Sequence, residues 1–262
     1  MNFRRPSPSD VSIPEATLSA EREGLCPDCD GYGNIIENGV ARPCHCRIER
    51  ELTERLTVAR IPERYRHCSL DNFSTDSHER ERDLKAMRWA LKEMLGKPGR
   101  GIYIHGEHGV GKTHLAVAIL RELVKQGKSG VYYNVVDLLD QMRDSMRAES
   151  GPGAQQLLGF HMDWEVLLLD DLGVQRASPW VVERLHAIVN ARYESNRVLI
   201  ITSNKTLEAA TANLNRAITS RLREMCIVYA MQAQEDYRNR LAEKSAVPEK
   251  PRRGRRRNSE DE

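Results

Sequence analysis

The stretch Gly101–Thr113, reading GIYIHGEHGVGKT, decides the fold. Ile102, Tyr103 and Ile104 read as a short apolar strand running into a glycine-rich turn and then a helix. The turn GEHGVGKT fits the G-x-x-x-x-G-K-[ST] spacing. Gly106 and Gly111 hold the glycine positions, with Glu107, His108, Gly109 and Val110 between them. Backbone N–H groups converge on an anion only where the chain approaches closely and takes φ > 0, which glycine allows. A helix starting near Lys112 adds its positive N-terminal end. The pattern therefore predicts a triphosphate site. Lys112 reaches the β- and γ-phosphates, and the Thr113 hydroxyl holds Mg²⁺.

Two later strands point at the same edge. VLLLDDLG (166–173) has four apolar residues, as a strand buried on both faces requires, and ends in two carboxylates. Ligands of open α/β sheets bind at that C-terminal edge. Asp170 is expected to hold Mg²⁺ through water. Asp171 is placed to polarise an attacking water, one methylene shorter than the glutamate usual in that role. VLIITSN (198–204) brings Asn204 to the position of a side chain holding that water between the γ-phosphate and Asp171.

The remaining periodicity supplies the scaffold. Leu84, Met87, Leu91 and Met94 mark a helix over 79–95, and VYYNVV (131–136) reads as a strand leading into a helix at 138–147. AESGPGAQQ (148–156) has the composition of a surface loop. Pro179 opens a helix over 179–194, and a helix at 213–226 precedes a fifth strand at 227–230. The alternation predicts an α/β fold with a five-stranded parallel sheet and right-handed crossovers.

Upstream lies LCPDCDGYGNIIENGVARPCHCR, with Cys26 and Cys29 as a C-x-x-C pair and Cys44 and Cys46 as a C-x-C pair. Two cysteine pairs on tight turns can place four thiolates tetrahedrally around Zn²⁺, with His45 an alternative to Cys44 or Cys46. So short a segment has too little apolar content to fold alone, so the metal would supply the folding energy. A closed thiolate site leaves no open position for catalysis. CPDCDGYG also resembles, locally, the zinc motifs of DnaJ-type cochaperones. The helical spacing of Ile48, Leu52 and Leu56 predicts a connector helix. In IPERYRHCSLDNF (61–73), Pro62 ends it and Leu70 and Phe73 read as packing residues. His67 and Cys68 are read as packing too, because the upstream cysteines already complete a site.

Composition bounds the rest. Of 262 residues, 40% are hydrophobic, 5% aromatic and 30% charged, which suits a modest core with an extensive solvated surface. A net charge of +2 does not by itself argue for nucleic acid. No apolar run approaches the ~18 residues of a membrane span, and the N-terminus lacks the apolar core of a secretory signal. The expectation is a cytoplasmic protein with no membrane partner, whose six cysteines are thiols or metal ligands. The organisation reads as an arm (1–23), a zinc-binding partner module with its connector helix (24–60), a nucleotide-binding domain (61–240) and a basic-then-acidic tail (241–262).

The ordered set GEHGVGKT, VLLLDDLG, IITSN and TSRLREMC resembles the AAA+ ATPases. Together with the cysteine knuckle, IPERYRHCSLDNF and EDYRNR, it resembles the DnaC/DnaI-type replicative helicase loaders, with the transposition ATPase IstB a near relative that typically lacks such cysteines. The resemblance implies that Arg221 in TSRLRE is the arginine finger reaching a neighbour's γ-phosphate, with Arg216 and Arg223 as alternatives. It also implies that Arg238 in DYRNR is a sensor arginine acting in cis. A fixed guanidinium stabilises the charge that develops during phosphoryl transfer. The room after the fifth strand fits a short helix (231–243), not a full helical lid.

In function, the resemblance implies an ATP hydrolase using ATP, Mg²⁺ and Zn²⁺. It would assemble into an ATP-dependent homo-oligomer and load a replicative DNA helicase onto single-stranded DNA. Tyr132, Tyr133, Arg143 and Arg147 are the residues the sequence offers for that strand. The alternative is an IstB-like regulator of transposition. A metabolic P-loop kinase would have no use for Asn204 and Arg221. A zinc-dependent adaptor with a degenerate nucleotide site conflicts with the intact Lys112 and Asp170.

Overall fold

The computed structural model describes residues 25–232, apart from 38, 148–162, 176–177, 213 and 215. The arm, the tail, Arg238, the short helix after the fifth strand and the loop at 148–156 lie outside the described residues. The chain divides into two compact units, one up to Val58 and one from Ala59 onward.

In the first unit, β1 (Asn34–Glu37) and β2 (Val40–Pro43) form an antiparallel hairpin with Asn34 opposite Pro43. The helix α1 (His45–Val58) comes next and buries none of its residues. Among the described residues here, the buried side chains are those of Cys29 and Cys44. Among the described residues this unit buries thiols and no larger apolar side chain, a composition for which a bound metal would be a source of stability.

The second unit opens with a short 3₁₀ turn at Glu63–Tyr65 and the helix α2 (His78–Gly96), which Ser77 caps by accepting the Arg80 N–H at 3.3 Å. Then come β3 (Gly101–His105), α3 (Lys112–Lys125), β4 (Gly130–Asn134), α4 (Val135–Arg147) and β5 (Val166–Leu172). The chain continues through α5 (Pro179–Glu194), β6 (Val198–Ser203), α6 (Leu207–Thr211), α7 (Arg216–Met225) and β7 (Cys226–Ala230). The five strands lie in the order β4-β5-β6-β3-β7, and every neighbouring pair is parallel. The expected five-stranded parallel sheet is the sheet observed, with the glycine-loop strand β3 held between β6 and β7.

Helices cover both faces of the sheet. α3 packs across β3–β6 on one face, with α2 against it. On the other, Tyr103, Val131, Tyr133, Leu167, Leu169 and Ile201 meet Leu138, Met142, Leu185, Ile188 and Leu222 from α4, α5 and α7. Arg192 of α5 is buried in this layer, and its guanidinium donates to the carbonyls of Trp164, Glu165 and Val198. It ties the helix to the N-terminal ends of β5 and β6.

In two regions the boundaries differ by more than one residue from the sequence reading. The strand expected over 131–136 stops at Asn134, because its Oδ1 accepts the Val136 N–H at 2.9 Å and turns the chain into α4. Val135 and Val136 are helical despite their β-branching. The helix expected at 213–226 begins at Arg216, after the separate short α6, and Cys226 already belongs to β7.

Candidate functional site

The loop between β3 and α3 has the shape its glycines require. Gly111 takes φ +104° and lies under the Phe73 ring, where an added Cβ would sit 2.8 Å from Phe73 Cε2. Both facts exclude a side chain there. Lys112 is buried, and its ammonium donates to the carbonyls of Gly106 at 3.0 Å and Glu107 at 2.7 Å. The lysine thus sits folded against the loop that a triphosphate would occupy.

Thr113 donates to Asp170, with Oγ1 at 3.0 Å from Oδ1 and 3.3 Å from Oδ2. A hydroxyl and a carboxylate this close form the hard oxygen donor set that Mg²⁺ uses beside phosphates. Asp170 also accepts from Tyr132 Oη on Oδ2 at 2.7 Å and from Thr202 Oγ1 on Oδ1. Burial pushes the Asp170 carboxyl above its ordinary range, against the pull of the hydrogen bonds from Thr202, Tyr132 and Thr113. Bound Mg²⁺ would favour the ionised form.

Asp171 comes next, in the left-handed region at φ +62°, where the β5–β6 register shifts. Its backbone N–H donates to Thr202 Oγ1 at 3.0 Å. The kink turns Asp171 into the cleft above the loop, where Asn204 also lines the wall. Asn204 Nδ2 lies 2.9 Å from His108 Nε2. Lys112, Thr113, Asp170, Asp171 and Asn204 thus converge at the C-terminal edge of the sheet, with Gly106–Gly111 forming the loop.

The cleft has a volume of about 600 Å³, and its far wall is a surprise. Arg64, Tyr65, His67 and Cys68 line it, facing His108, Gly109 and His114. The sequence reading gave Leu70, Phe73, His67 and Cys68 packing roles and gave Arg64 and Tyr65 none. Leu70 and Phe73 do pack, but the residues before them build part of the site. The available signal was a basic and aromatic segment without periodicity just upstream of the loop. His114 Nε2 is 2.9 Å from the Ser69 carbonyl, and burial lowers its pKa. Burial pushes the Cys68 thiol up to about 11, which favours the protonated form over the nucleophilic thiolate.

Arg221 does not line this cleft. It lies on α7 with its guanidinium 5.7 Å from the centre of the Tyr193 ring. Of the two alternatives, Arg223 pairs with Glu208 at 2.6 Å, and Arg216 begins α7. The residues offered for a nucleic-acid strand fare differently. Tyr132 and Tyr133 are buried, so neither presents a face on which a base could stack. Arg143 lies 4.9 Å over the Trp180 ring and pairs with Asp140 at 3.1 Å. Burial against the sheet overturns the assignment of the two tyrosines.

In the first unit, the sulfurs of Cys26, Cys29, Cys44 and Cys46 lie within 4.8 Å of one another. Cys26–Cys44 and Cys29–Cys46 approach to 3.6 and 3.4 Å. Four thiolates on Zn²⁺ at ~2.3 Å would be about 3.8 Å apart, so the cluster fits the ion. The Gly33 N–H and the neighbouring thiols outweigh burial and bring the Cys29 thiol down to about 7, while Cys29 pushes Cys46 up to about 12. Like charges so close need a cation to coexist. The His45 ring stands alongside, with Nε2 3.8 Å from Cys26 Sγ and Nδ1 3.2 Å from Asp28 Oδ2. The set Cys26, Asp28, Cys44 and His45 also lies within 4.8 Å, so the place of His45 stays open.

The parallel sheet, phosphate loop and paired acids define a P-loop ATP-binding protein of the AAA+ type. The chain belongs to the family of IstB-like ATP binding proteins, whose profile matches residues 27–245. It is 29% identical over 180 residues to the replicative helicase loader DnaC of Escherichia coli (strain K12), covering 69% of this chain and 73% of that protein. The crystal structure of the DnaC helicase loader superposes with a TM-score of 0.58 at 28% identity, over 65% of this chain and all of that one. The crystal structure of DnaI matches in fold, with a TM-score of 0.56 at 24% identity, over 66% of this chain and 95% of that one. Among the described residues, no helix is long and apolar enough to cross a membrane.

Proposed function

We propose that this protein is an ATP-hydrolysing loader that delivers a replicative DNA helicase to single-stranded DNA at the initiation of replication. One observation carries the reading. A four-cysteine unit precedes an intact nucleotide cleft in a chain similar to DnaC over 180 residues. In this reading Lys112 binds the β- and γ-phosphates, and Thr113 and Asp170 hold Mg²⁺, which would neutralise phosphate charge. Asp171 and Asn204 orient the attacking water. Arg221, which does not line its own cleft, serves the cleft of a neighbouring copy, and Arg238 acts in cis. ATP then acts as an assembly signal for a homo-oligomer.

Cys26, Cys29, Cys44 and Cys46 would hold Zn²⁺ and shape the surface that grips the helicase. The test is a pull-down of purified replicative helicase, with and without ATP, using a transposase as control. Retention of the helicase supports the reading. Retention of the transposase alone refutes it in favour of a transposition ATPase.

A further inference from the structure

Tyr132 lies in β4, one strand away from Asp170, yet its hydroxyl is among the hydrogen-bond donors to that carboxylate. The register explains how. Asn134 stands opposite Asp170 in the β4–β5 ladder, Tyr132 opposite Leu168, and Leu168 opposite Ile200 of β6. Residues two apart on a strand share a face, so Tyr132, Asp170 and Thr202 all project to the side of the sheet that α3 covers. Asp170 on the middle strand is flanked by a hydroxyl from each neighbour, and Thr113 of α3 closes over it.

The two flanking donors take different oxygens. Tyr132 donates to Oδ2, and Thr202 donates to Oδ1. An aspartate's terminal torsion is otherwise broad, with no staggered wells to hold it. Donors on opposite edges fix the plane of the carboxylate and leave Thr113 Oγ1 near both oxygens, at 3.0 and 3.3 Å. Tyr132 suits the task because it cannot drift. Its side chain is buried, and its backbone N–H donates to the Ala59 carbonyl at 2.8 Å.

We propose that Tyr132 is a positioning residue for the metal carboxylate, setting with Thr202 the orientation in which Asp170 meets Mg²⁺ beside Thr113. The proposal rests on the reading of Asp170 as the Mg²⁺ residue. Partners that orient a ligating carboxylate typically govern metal affinity by about 10- to 100-fold.

The perturbation is Tyr132→Phe, which keeps the ring and removes only the hydroxyl. ATP affinity is measured by equilibrium titration in EDTA and again across a Mg²⁺ series. The expected result is unchanged affinity in EDTA, within about twofold, and a Mg²⁺ requirement raised at least about tenfold. Thr202→Val should shift the Mg²⁺ requirement in the same direction. The double variant should lose less than the product of the two singles, because both act on one carboxylate.

Asp170→Asn serves as the control. If Asp170→Asn leaves the Mg²⁺ dependence intact, the assignment of Asp170 itself fails. If Asp170→Asn abolishes that dependence while Tyr132→Phe keeps it within twofold, the positioning role alone is refuted. Equal loss by Tyr132→Phe in EDTA and in Mg²⁺ also refutes it, because damage to the fold would act in both conditions.

Discussion

Lys112→Ala is the sharpest perturbation of the nucleotide cleft, and the structure sets its size. The ammonium donates to Gly106 O and Glu107 O, and it must exchange these for phosphate oxygens when a triphosphate binds. The bonds lost and the bonds gained all involve the charged ammonium, at about 1.5–3 kcal/mol each, so they largely cancel. What remains is the attraction of the ammonium for the phosphate charge, about 2–4 kcal/mol for unit charges about 4–8 Å apart at an effective dielectric constant of about 20. That corresponds to a rise in Kd of about 30- to 1000-fold. The assay is equilibrium titration with a fluorescent ATP analogue. A zinc determination on the same sample should give wild-type metal content, since Lys112 belongs to the second unit. A variant Kd within about threefold of wild type, less than 1 kcal/mol, would refute the phosphate role of Lys112.

The other predictions address separate parts of the molecule. Cys29→Ser should release zinc and remove hydrogen-exchange protection from the first unit while ATP affinity stays at the wild-type value. Wild-type protein purified without any zinc would sink the thiolate assignment. Arg221→Ala should leave ATP affinity unchanged but lower hydrolysis by about 10³-fold or more, as arginine fingers do. Mixing it with Lys112→Ala should restore part of the activity, because each copy supplies what the other lacks; full activity of Arg221→Ala alone contradicts the role. Asp83 is buried beneath Tyr229, whose hydroxyl donates to it at 2.8 Å, and burial raises its pKa above the ordinary 3.8. A carboxyl with a raised folded pKa stabilises the fold below 3.8, and that contribution is lost as pH rises through the folded value. Asp83→Asn should therefore lose less stability than wild type between pH 4 and 7 in denaturant titrations; parallel curves would count against the burial argument.

Much of the site was legible because its parts are local. GEHGVGKT carries its own geometry, since strand, turn and helix adjoin one another in the chain. VLLLDDLG declares a buried strand ending in acids, and the cysteine spacing declares a cluster of four thiols. The misreadings share a cause. Tyr132 and Tyr133 looked available to a partner because a strand pattern does not say whether both faces are covered. His67 and Cys68 looked like packing, and Arg64 and Tyr65 drew no assignment, because no local signal says which way an irregular segment folds back.

By itself, the sequence determined the class of fold, the phosphate loop, the acids at the strand end and the four thiols. Each depends on residues within a few positions of one another. The strand order was decided only in the tertiary structure, since the chain visits β3 first yet places it between β6 and β7. That order sets Tyr132 and Thr202 on either side of Asp170, and the folded chain also brings Arg64, Tyr65, His67 and Cys68 to the cleft, which Arg221 does not line. Such neighbours are brought together by burying a shared apolar face, a non-local gain in free energy that no short pattern in the chain encodes.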